Sequence, residues 1–309
     1  MRVFYFFSLF LLLISLVYTN IYSYTLPGIN LGLSSILDGG PLRQKPGWYL
    51  QAYNQFYHTN RFLDHQGKLL INPSPHFNLL ATSLQLTYQS QNDFFGLGTV
   101  GIDITQPIVW YSHVTTNPLG IISSGGGLGD LSIGVYAQGD AIFRNNQPFY
   151  VHRLEFVASF PTGKDKRPLL SINPGNGVFY INPYWAATLY FTPKFSASWR
   201  LHYLWVATNH TTHIKAGDAI HLNYALEYAL SSRFYIGING YFLQQIKDST
   251  FFGAPIPNSR ERVLAIGPGF LYALEKEFNL VMVGNLFCEM AVKNRPQGIK
   301  AVLRILKHF

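Results

Sequence analysis

Apolar and polar positions alternate with a period of two residues along most of the chain, from Trp48 to Phe309. In residues 195–203, one face carries Phe, Ala, Trp, Leu and Tyr, and the other carries Ser, Ser, Arg and His. This alternation is typical of β-strands with one apolar face, whereas the 3.6-residue period of helices is nearly absent. Twelve such segments predict strands at residues 47–57, 76–90, 94–109, 129–143, 149–162, 177–191, 195–208, 217–230, 233–246, 260–274, 278–292 and 298–309.

Short and longer connections alternate between these predicted strands. Residues 91–93 and 231–232 are short connections, and residues 58–75 and 110–128 are longer ones. Such an alternation is typical of outer-membrane barrels, which have short periplasmic turns and longer outer loops. Lipid offers the backbone no hydrogen-bond partner, so a sheet crosses a membrane only when it is closed. The predicted fold class is all-β: a transmembrane, up-and-down antiparallel β-barrel of outer-membrane type over residues 47–309, with about 12 strands.

The alternative fold is a secreted β-sandwich, whose outward face would be rich in charge. Charged residues make up only 12% of this chain, against about 25% in a usual soluble domain. Whole predicted strands carry no charge on one face, which favours contact with lipid. The net charge of +8 comes from scattered basic residues, and no motif for reading bases is present. We therefore expect no nucleic-acid partner.

The chain begins with Met1 and Arg2, followed by a long apolar run. This pattern predicts a secretory signal peptide at residues 1–23, with a retained membrane anchor as the alternative. Residues 24–46 are rich in Gly, Leu and Ser and show no strand pattern. They are predicted to be either a periplasmic segment or a plug, and the sequence leaves both open. A signal peptide followed by a membrane barrel predicts a location in the bacterial outer membrane.

The last predicted strand ends on an aromatic residue, Phe309, and carries Ile299, Leu303 and Ile305 on its apolar face. A terminal aromatic residue on an alternating strand resembles the C-terminal signature of outer-membrane barrels. Phe309 is therefore the predicted membrane-insertion signal, read by the barrel-insertion machinery.

Short turn-like fragments between Lys45 and Phe309 resemble one outer-membrane family. The fragments include PGWY at 46–49, GGLGD at 126–130, FPTG at 160–163, GYFLQQ at 240–245 and VKNRPQG at 292–298. The family is named for the MetA (meta-cleavage) pathway of phenol degradation, and its members are described as transporters. The resemblance implies an outer-membrane barrel that passes aromatic or other hydrophobic compounds.

The polar face of the predicted strands defines candidate residues of the lumen. They are Asp103, Tyr136, Arg153, Glu155, Tyr184, Arg200, Glu227, Arg233, Tyr241, Glu261, Glu289 and Arg304. The charges are of both signs, so we expect them to pair across a narrow lumen; the alternative is a mixed-charge path for polar solutes. The inward tyrosines either stack with aromatic solutes or fill the lumen.

The loop tip Lys164, Lys166 and Arg167 is predicted to be solvated. The alternative is that it attracts anionic solutes or the phosphates of lipopolysaccharide.

The sequence predicts no catalytic, cofactor or metal site. Ten histidines show no ligand spacing, and the single Cys288 excludes an internal disulfide. The candidate serines Ser83, Ser196 and Ser198 lie in no nucleophile motif.

The predicted function is therefore an outer-membrane channel or transporter for passive uptake of small hydrophobic or aromatic compounds. The alternatives are a structural or adhesive barrel with recognition in the outer loops, and an outer-membrane lipid hydrolase. The expected partners are outer-membrane lipids, lipopolysaccharide, the insertion machinery and a small-molecule solute.

Overall fold

The computed structural model describes residues 25–42, 45–93, 96, 98–115, 120, 122–123, 125–165 and 171–309. The predicted signal peptide at residues 1–23 lies outside the described residues. The wall consists of twelve long strands: β1 (Gly47–Phe62), β2 (His76–Asp93), β3 (Thr99–Thr115), β4 (Leu131–Gln138), β5 (Gln147–Phe160), β6 (Tyr184–Tyr190), β7 (Phe195–Val206), β8 (Ala219–Ala229), β9 (Phe234–Gln245), β10 (Arg262–Ala273), β11 (Leu280–Lys293) and β12 (Pro296–His308).

Each strand pairs antiparallel with its neighbours in sequence, and the first strand pairs with the last. The β1–β12 register runs from Tyr49 opposite His308 to Thr59 opposite Gly298. The sheet is therefore closed, which satisfies the backbone groups that lipid cannot bind. The prediction of a twelve-stranded up-and-down barrel is confirmed. Within the described residues, no helix is long and apolar enough to cross a bilayer.

Long and short connections separate the two ends of the barrel, as the sequence predicted. We call them the loop end, where β1 leads into β2, and the turn end, where β2 leads into β3. The loop end carries several two-residue strands. A 3-10 turn (Lys276–Phe278) and the three-residue strand Ile142–Arg144, which pairs with β5, lie at the turn end. The last loop is shorter than predicted, because only Asn294 and Arg295 join β11 to β12.

The small strands at the loop end are Ile122–Ser123, Gly127–Leu128, Ser171–Ile172, Tyr180–Ile181, Ile214–Lys215, Thr250–Phe251 and Ala254–Pro255. Ile214–Lys215, Thr250–Phe251 and Ala254–Pro255 form a three-stranded sheet of their own. Tyr180–Ile181 continues the line of β6, because it pairs with β5 and β7 in the same register.

The outer surface of the wall is apolar, and aromatic rings concentrate near both ends. Leu86, Leu154 and Leu226 are among the many exposed apolar side chains. Trp48 and Tyr88 lie 5.0 Å apart at the turn end. Phe179 lies between Phe160 and Trp205 at the loop end, at 5.6 and 6.5 Å. Such belts are typical of the two membrane interfaces of a transmembrane barrel.

Candidate functional site

The chain ahead of β1 enters the barrel and runs from its loop end to its turn end. At the loop end, the N–H groups of Thr25 and Leu26 donate to Glu261 Oε1 at 2.6 and 2.8 Å. At the turn end, Lys45 Nζ donates to Asn279 Oδ1 at 2.8 Å. We call residues 25–42 the lumen segment. Their polar contacts span the interior, as a plug would require.

Charged and polar side chains of the wall bind the half of the lumen segment that is nearer the turn end. Arg200 on β7 forms a two-point ion pair with Asp38, at 2.9 and 2.6 Å. Glu227 on β8 accepts the N–H of Leu37 at 3.0 Å. The carboxylate and the guanidinium are buried, and a buried charge is stable only with a partner of this kind.

Amide side chains bind the middle of the lumen segment. Asn223 on β8 accepts the N–H of Gly32 at 2.9 Å and donates to Ser34 Oγ at 3.1 Å. Ser35 Oγ donates to Asn285 Oδ1 on β11 at 3.1 Å. These bonds satisfy backbone and side-chain groups that have no sheet partner, because the segment has an irregular backbone.

Two glycines allow the lumen segment to touch the wall closely. A Cβ on Gly39 would lie 2.4 Å from the backbone nitrogen of Thr188 and 2.5 Å from the carbonyl oxygen of Val151. Gly32 has a φ of +72°, and its Cβ would lie 2.7 Å from the ring of Phe287. Neither position has room for a side chain, so the segment fits one path through the barrel.

The inner wall is apolar where β7–β12 approach the loop end. Leu204, Leu243 and Phe287 point inward and are fully buried. Leu26 and Leu31 of the lumen segment pack in the same cluster. This part of the wall therefore differs from the polar inner face that the strand alternation indicated.

The inward side chains of β1–β4 bond largely to one another. Tyr53 donates to Gln85 at 2.9 Å, and Tyr136 donates to Gln89 at 2.7 Å. Thr87 donates to Asp103. Most of these polar groups are therefore satisfied by bonds between neighbouring strands, and Gln138 on β4 also donates to the carbonyl of Gly39 in the lumen segment at 2.9 Å.

Many of the predicted lumen residues form local clusters of tyrosines, acids and cations. Tyr184 donates to Glu155, and Glu289 accepts the hydroxyls of Tyr57 and Tyr241 at 2.8 and 2.7 Å. A cation lies over each of four inward rings, and the pairs are Arg153 over Tyr136 (4.0 Å), Arg200 over Tyr184 (4.3 Å), Lys300 over Tyr241 (5.2 Å) and Arg304 over Tyr53 (5.2 Å). These ring faces are covered by cations, and the rings are buried.

The other predicted residues occupy varied positions. The prediction that Arg233 lines the lumen is wrong. This residue lies in the turn before β9 and is exposed, because the strand begins one residue later than predicted. Lys164 is exposed and donates to the carbonyl of Gly126 at 2.8 Å. Phe309 is 71% exposed at the turn end. Lys166 and Arg167 lie outside the described residues.

Sequence reasoning missed several residues that hold the lumen segment. Asp38, Asn223 and Asn285 were not among the candidates, and Arg295 was assigned to a loop. Arg295 donates to Glu261 at 2.6 Å and so fixes the carboxylate that binds the start of the segment. The sequence did contain a signal for Asn223 and Asn285. Both alternate in step with the charged residues of the polar face, so their amide side chains were expected to point inward as well.

The candidate serines and histidines make no catalytic pair. Ser196 donates to Glu227 at 2.9 Å, and Ser198 lies 2.8 Å from Thr188 Oγ1. His202 and His221 stack on each other at 4.0 Å, and both are buried. Among the residues that the structure describes, no group of three or more His, Cys, Asp or Glu side chains is placed to hold a metal ion.

The closed wall, its apolar outer face and its aromatic belts define a transmembrane β-barrel of the outer-membrane type. The model of the family described as "Putative MetA-pathway of phenol degradation" matches residues 59–305, and the chain belongs to this family. A search of curated proteins finds no match.

Solved barrels share the fold. The COG4313 outer membrane channel from Pseudomonas putida F1 is 13% identical, with a TM-score of 0.74, and the match covers 91% of this chain and 100% of that one. The CymD monoaromatic hydrocarbon channel is 10% identical, with a TM-score of 0.45 and coverage of 87% and 90%. The KdgM porin is 10% identical, with a TM-score of 0.41 and coverage of 84% and 99%. The first of these likenesses shows the fold, and the other two are too low to carry an argument.

Proposed function

We propose that this protein is an outer-membrane channel for passive uptake of small hydrophobic or aromatic compounds, closed at rest by the lumen segment. The observation that carries the proposal is the apolar inner wall near the loop end, which Leu26 and Leu31 cover. A purely aqueous pore has no use for such a wall, because exposed apolar surface costs about 25 cal/mol per Å² in water. When the segment moves away, this surface becomes available to an apolar solute.

The contacts of the lumen segment suit a closure that can be displaced. It is held by separate hydrogen bonds and one buried ion pair, Asp38 with Arg200, and its backbone forms no strand with the wall. Segments held in this way open at a lower free energy than strands within a sheet. Family membership supports the choice of solute, since the family description refers to phenol degradation.

The apolar wall is a better candidate surface for the solute than the inward tyrosines. Tyr136, Tyr184 and Tyr241 are buried with cations over their rings. A solute would have to displace those cations before it stacked on the rings. In contrast, Leu204, Leu243 and Val263 are covered by apolar side chains.

A disulfide between the lumen segment and the wall tests the proposal. Ser35 and Asn285 have side-chain atoms 3.1 Å apart, so S35C with N285C, in a background with C288S, should form a bridge on oxidation. In liposomes, we expect the oxidised protein to take up labelled toluate or phenol more slowly than the reduced protein. Uptake by the reduced protein should exceed the leak of a sugar of similar size.

The matched control is a bridge that leaves the lumen segment free. N54C with T82C joins β1 to β2 at directly opposite positions whose side chains are 2.8 Å apart. Its oxidation should leave uptake unchanged. Equal uptake by the oxidised and reduced forms of the first variant would reject the segment as a closure. Absence of any flux in the reduced form would favour a structural barrel, and an equal leak of sugars would indicate an unselective pore.

A further inference from the structure

The lipid-facing side of the wall has a depression of about 590 Å³ between β5 and β8. This lies within the range of about 300–1,000 Å³ that is typical of small-ligand sites. The apolar side chains that line it include Leu154, Phe156, Pro183, Trp185, Leu201 and Ile220. The depression is therefore apolar and open to the membrane, and it is separate from the lumen segment.

The depression arises because a small side chain lies among large ones. Pro183 lies between Tyr180–Ile181 and β6, and its ring is smaller than the Trp185 and Phe156 side chains that line the depression with it. Trp185 on the same strand and Leu201 on β7 project further, and each is more than a third exposed. The low point at Pro183 is therefore bounded by bulky side chains, which gives an extended apolar molecule surface on several sides.

The loop end of this depression leads to a basic edge. The ring of Tyr203 lines the depression, and its hydroxyl donates to Asp218 Oδ2 at 2.9 Å. Lys247 Nζ donates to the same oxygen at 2.5 Å, although 67% of its side chain is exposed. Lys215 Nζ lies 5.3 Å from the ring centre of Trp205, in the outer aromatic belt. Two ammonium groups therefore lie close to the level where lipid headgroups begin.

Both lysines can bind a further anion. The hydrogen bond from Lys247 to Asp218 raises the pKa of Lys247, so this ammonium is charged at neutral pH. One carboxylate faces two ammonium groups, which leaves a net positive charge at this edge. An ammonium group donates up to three hydrogen bonds, so the bond to Asp218 leaves capacity for a phosphate oxygen.

We propose that this surface binds lipid A, the phosphorylated multi-chain glycolipid of the outer leaflet: one acyl chain lies in the depression at Pro183, and a phosphate contacts Lys215 and Lys247. The loop end of an outer-membrane barrel faces the outer leaflet. A molecule with both an acyl chain and a phosphate matches the apolar depression and the basic edge together. The proposal does not depend on the channel function, because the site is outside the barrel.

Binding can be measured by native mass spectrometry of the full protein in detergent. Diphosphoryl lipid A, phosphatidylglycerol and inorganic phosphate are added separately. We expect one tightly bound lipid A and little retention of the other two. I220W fills the depression from β8, and losing the burial of a few methylenes should weaken binding about tenfold or more. K215S with K247S should also weaken binding, by about tenfold.

The matched control is I266W, which places the same ring on the lipid-facing side of β10, away from the depression. Ile220 and Ile266 are similarly exposed, at 38% and 41%. We expect I266W to bind lipid A as the unchanged protein does. Heat-modifiable migration in gels checks that every variant is folded.

Two results would overturn the proposal. One is equal lipid A binding by I220W and I266W, and the other is equally tight binding of phosphatidylglycerol, which would assign the depression to any acyl chain. Solute uptake in lipid A-free liposomes is expected to be the same for all these variants, so failure here leaves the channel proposal intact.

Discussion

The two parts of the barrel wall satisfy their inward polar groups in different ways. On β1–β4, tyrosine, glutamine and threonine side chains bond to their neighbours across the strands, as Tyr53 does to Gln85 and Tyr136 to Gln89. On β6–β12, several inward groups bond instead to the lumen segment, as Arg200, Glu227 and Asn223 do. The first part depends less on the segment than the second does, although Gln138 at the end of β4 donates to the carbonyl of Gly39 at 2.9 Å. A wall can therefore be closed as a sheet and still need a further piece of chain inside it.

Deletion of residues 25–42 should have the largest effect, because it removes every partner that the segment offers β6–β12. The lost burial of Leu26, Leu31 and Ile36 alone corresponds to about 5 kcal/mol or more. We expect a lower thermal midpoint in detergent and a higher single-channel conductance. A deletion variant with unchanged conductance and stability would show that the two parts of the wall do not differ as described.

Removal of the carboxylate in Asp38→Ala should have the next largest effect. It leaves the buried guanidinium of Arg200 without its ion-pair partner, which costs about 3–5 kcal/mol. The segment should be released more often, and brief high-conductance openings should become frequent in planar bilayers.

The control for Asp38→Ala is Glu277→Ala, which removes the carboxylate of the exposed pair with Lys45, 3.0 Å apart. An exposed pair contributes about 1 kcal/mol or less. The openings should stay rare in this variant. If both variants behave alike, the burial of the Asp38 pair is irrelevant to closure.

Adding a single methyl group to a glycine of the lumen segment should change the frequency of openings less than Asp38→Ala does. The size of the change should depend on which glycine is replaced. Gly39→Ala places its Cβ against the backbone of β5 and β6, and such overpacking costs about 1–3 kcal/mol. In Gly28→Ala, the nearest atom to the Cβ is 4.0 Å away. In planar bilayers, we expect only Gly39→Ala to increase the frequency of openings. Equal opening frequencies for the two variants would contradict the close fit at Gly39.

Gln85→Ala should have the smallest effect. It removes a hydrogen bond between two neighbouring strands, β1 and β2, at a cost of about 1 kcal/mol. The thermal midpoint should fall slightly while the conductance stays at the unchanged protein's level, since Gln85 bonds to Tyr53 and not to the lumen segment. A marked rise in conductance would show that the Gln85–Tyr53 pair also holds the closure.

The fold was predictable because strand alternation is a local property of the sequence. In residues 195–203 the apolar face reaches lipid and the polar face turns inward, and the same rule holds for most of the barrel outside the apolar inner wall near the loop end. It fails at Arg233, where an error of one residue in the start of β9 assigned an exposed turn residue to the lumen.

The contacts of the lumen segment could not be read in the same way. Asp38 and Arg200 are separated by 162 positions, and the segment has no period that reveals its partners. The apolar inner wall had a visible signal, since residues 263–266 and 204–206 are apolar on both faces. Such short runs do not distinguish an inward apolar surface from an ordinary buried strand.

The path of the lumen segment also restricts the direction of release. The segment precedes β1, which forms the closing seam of the barrel with β12. The covalent link to β1 keeps Lys45–Gly47 at the turn end, whereas near the loops Thr25 and Leu26 are held by hydrogen bonds to Glu261. Such a tether permits withdrawal through the turn end and opposes extrusion through the loops, which makes the closure directional.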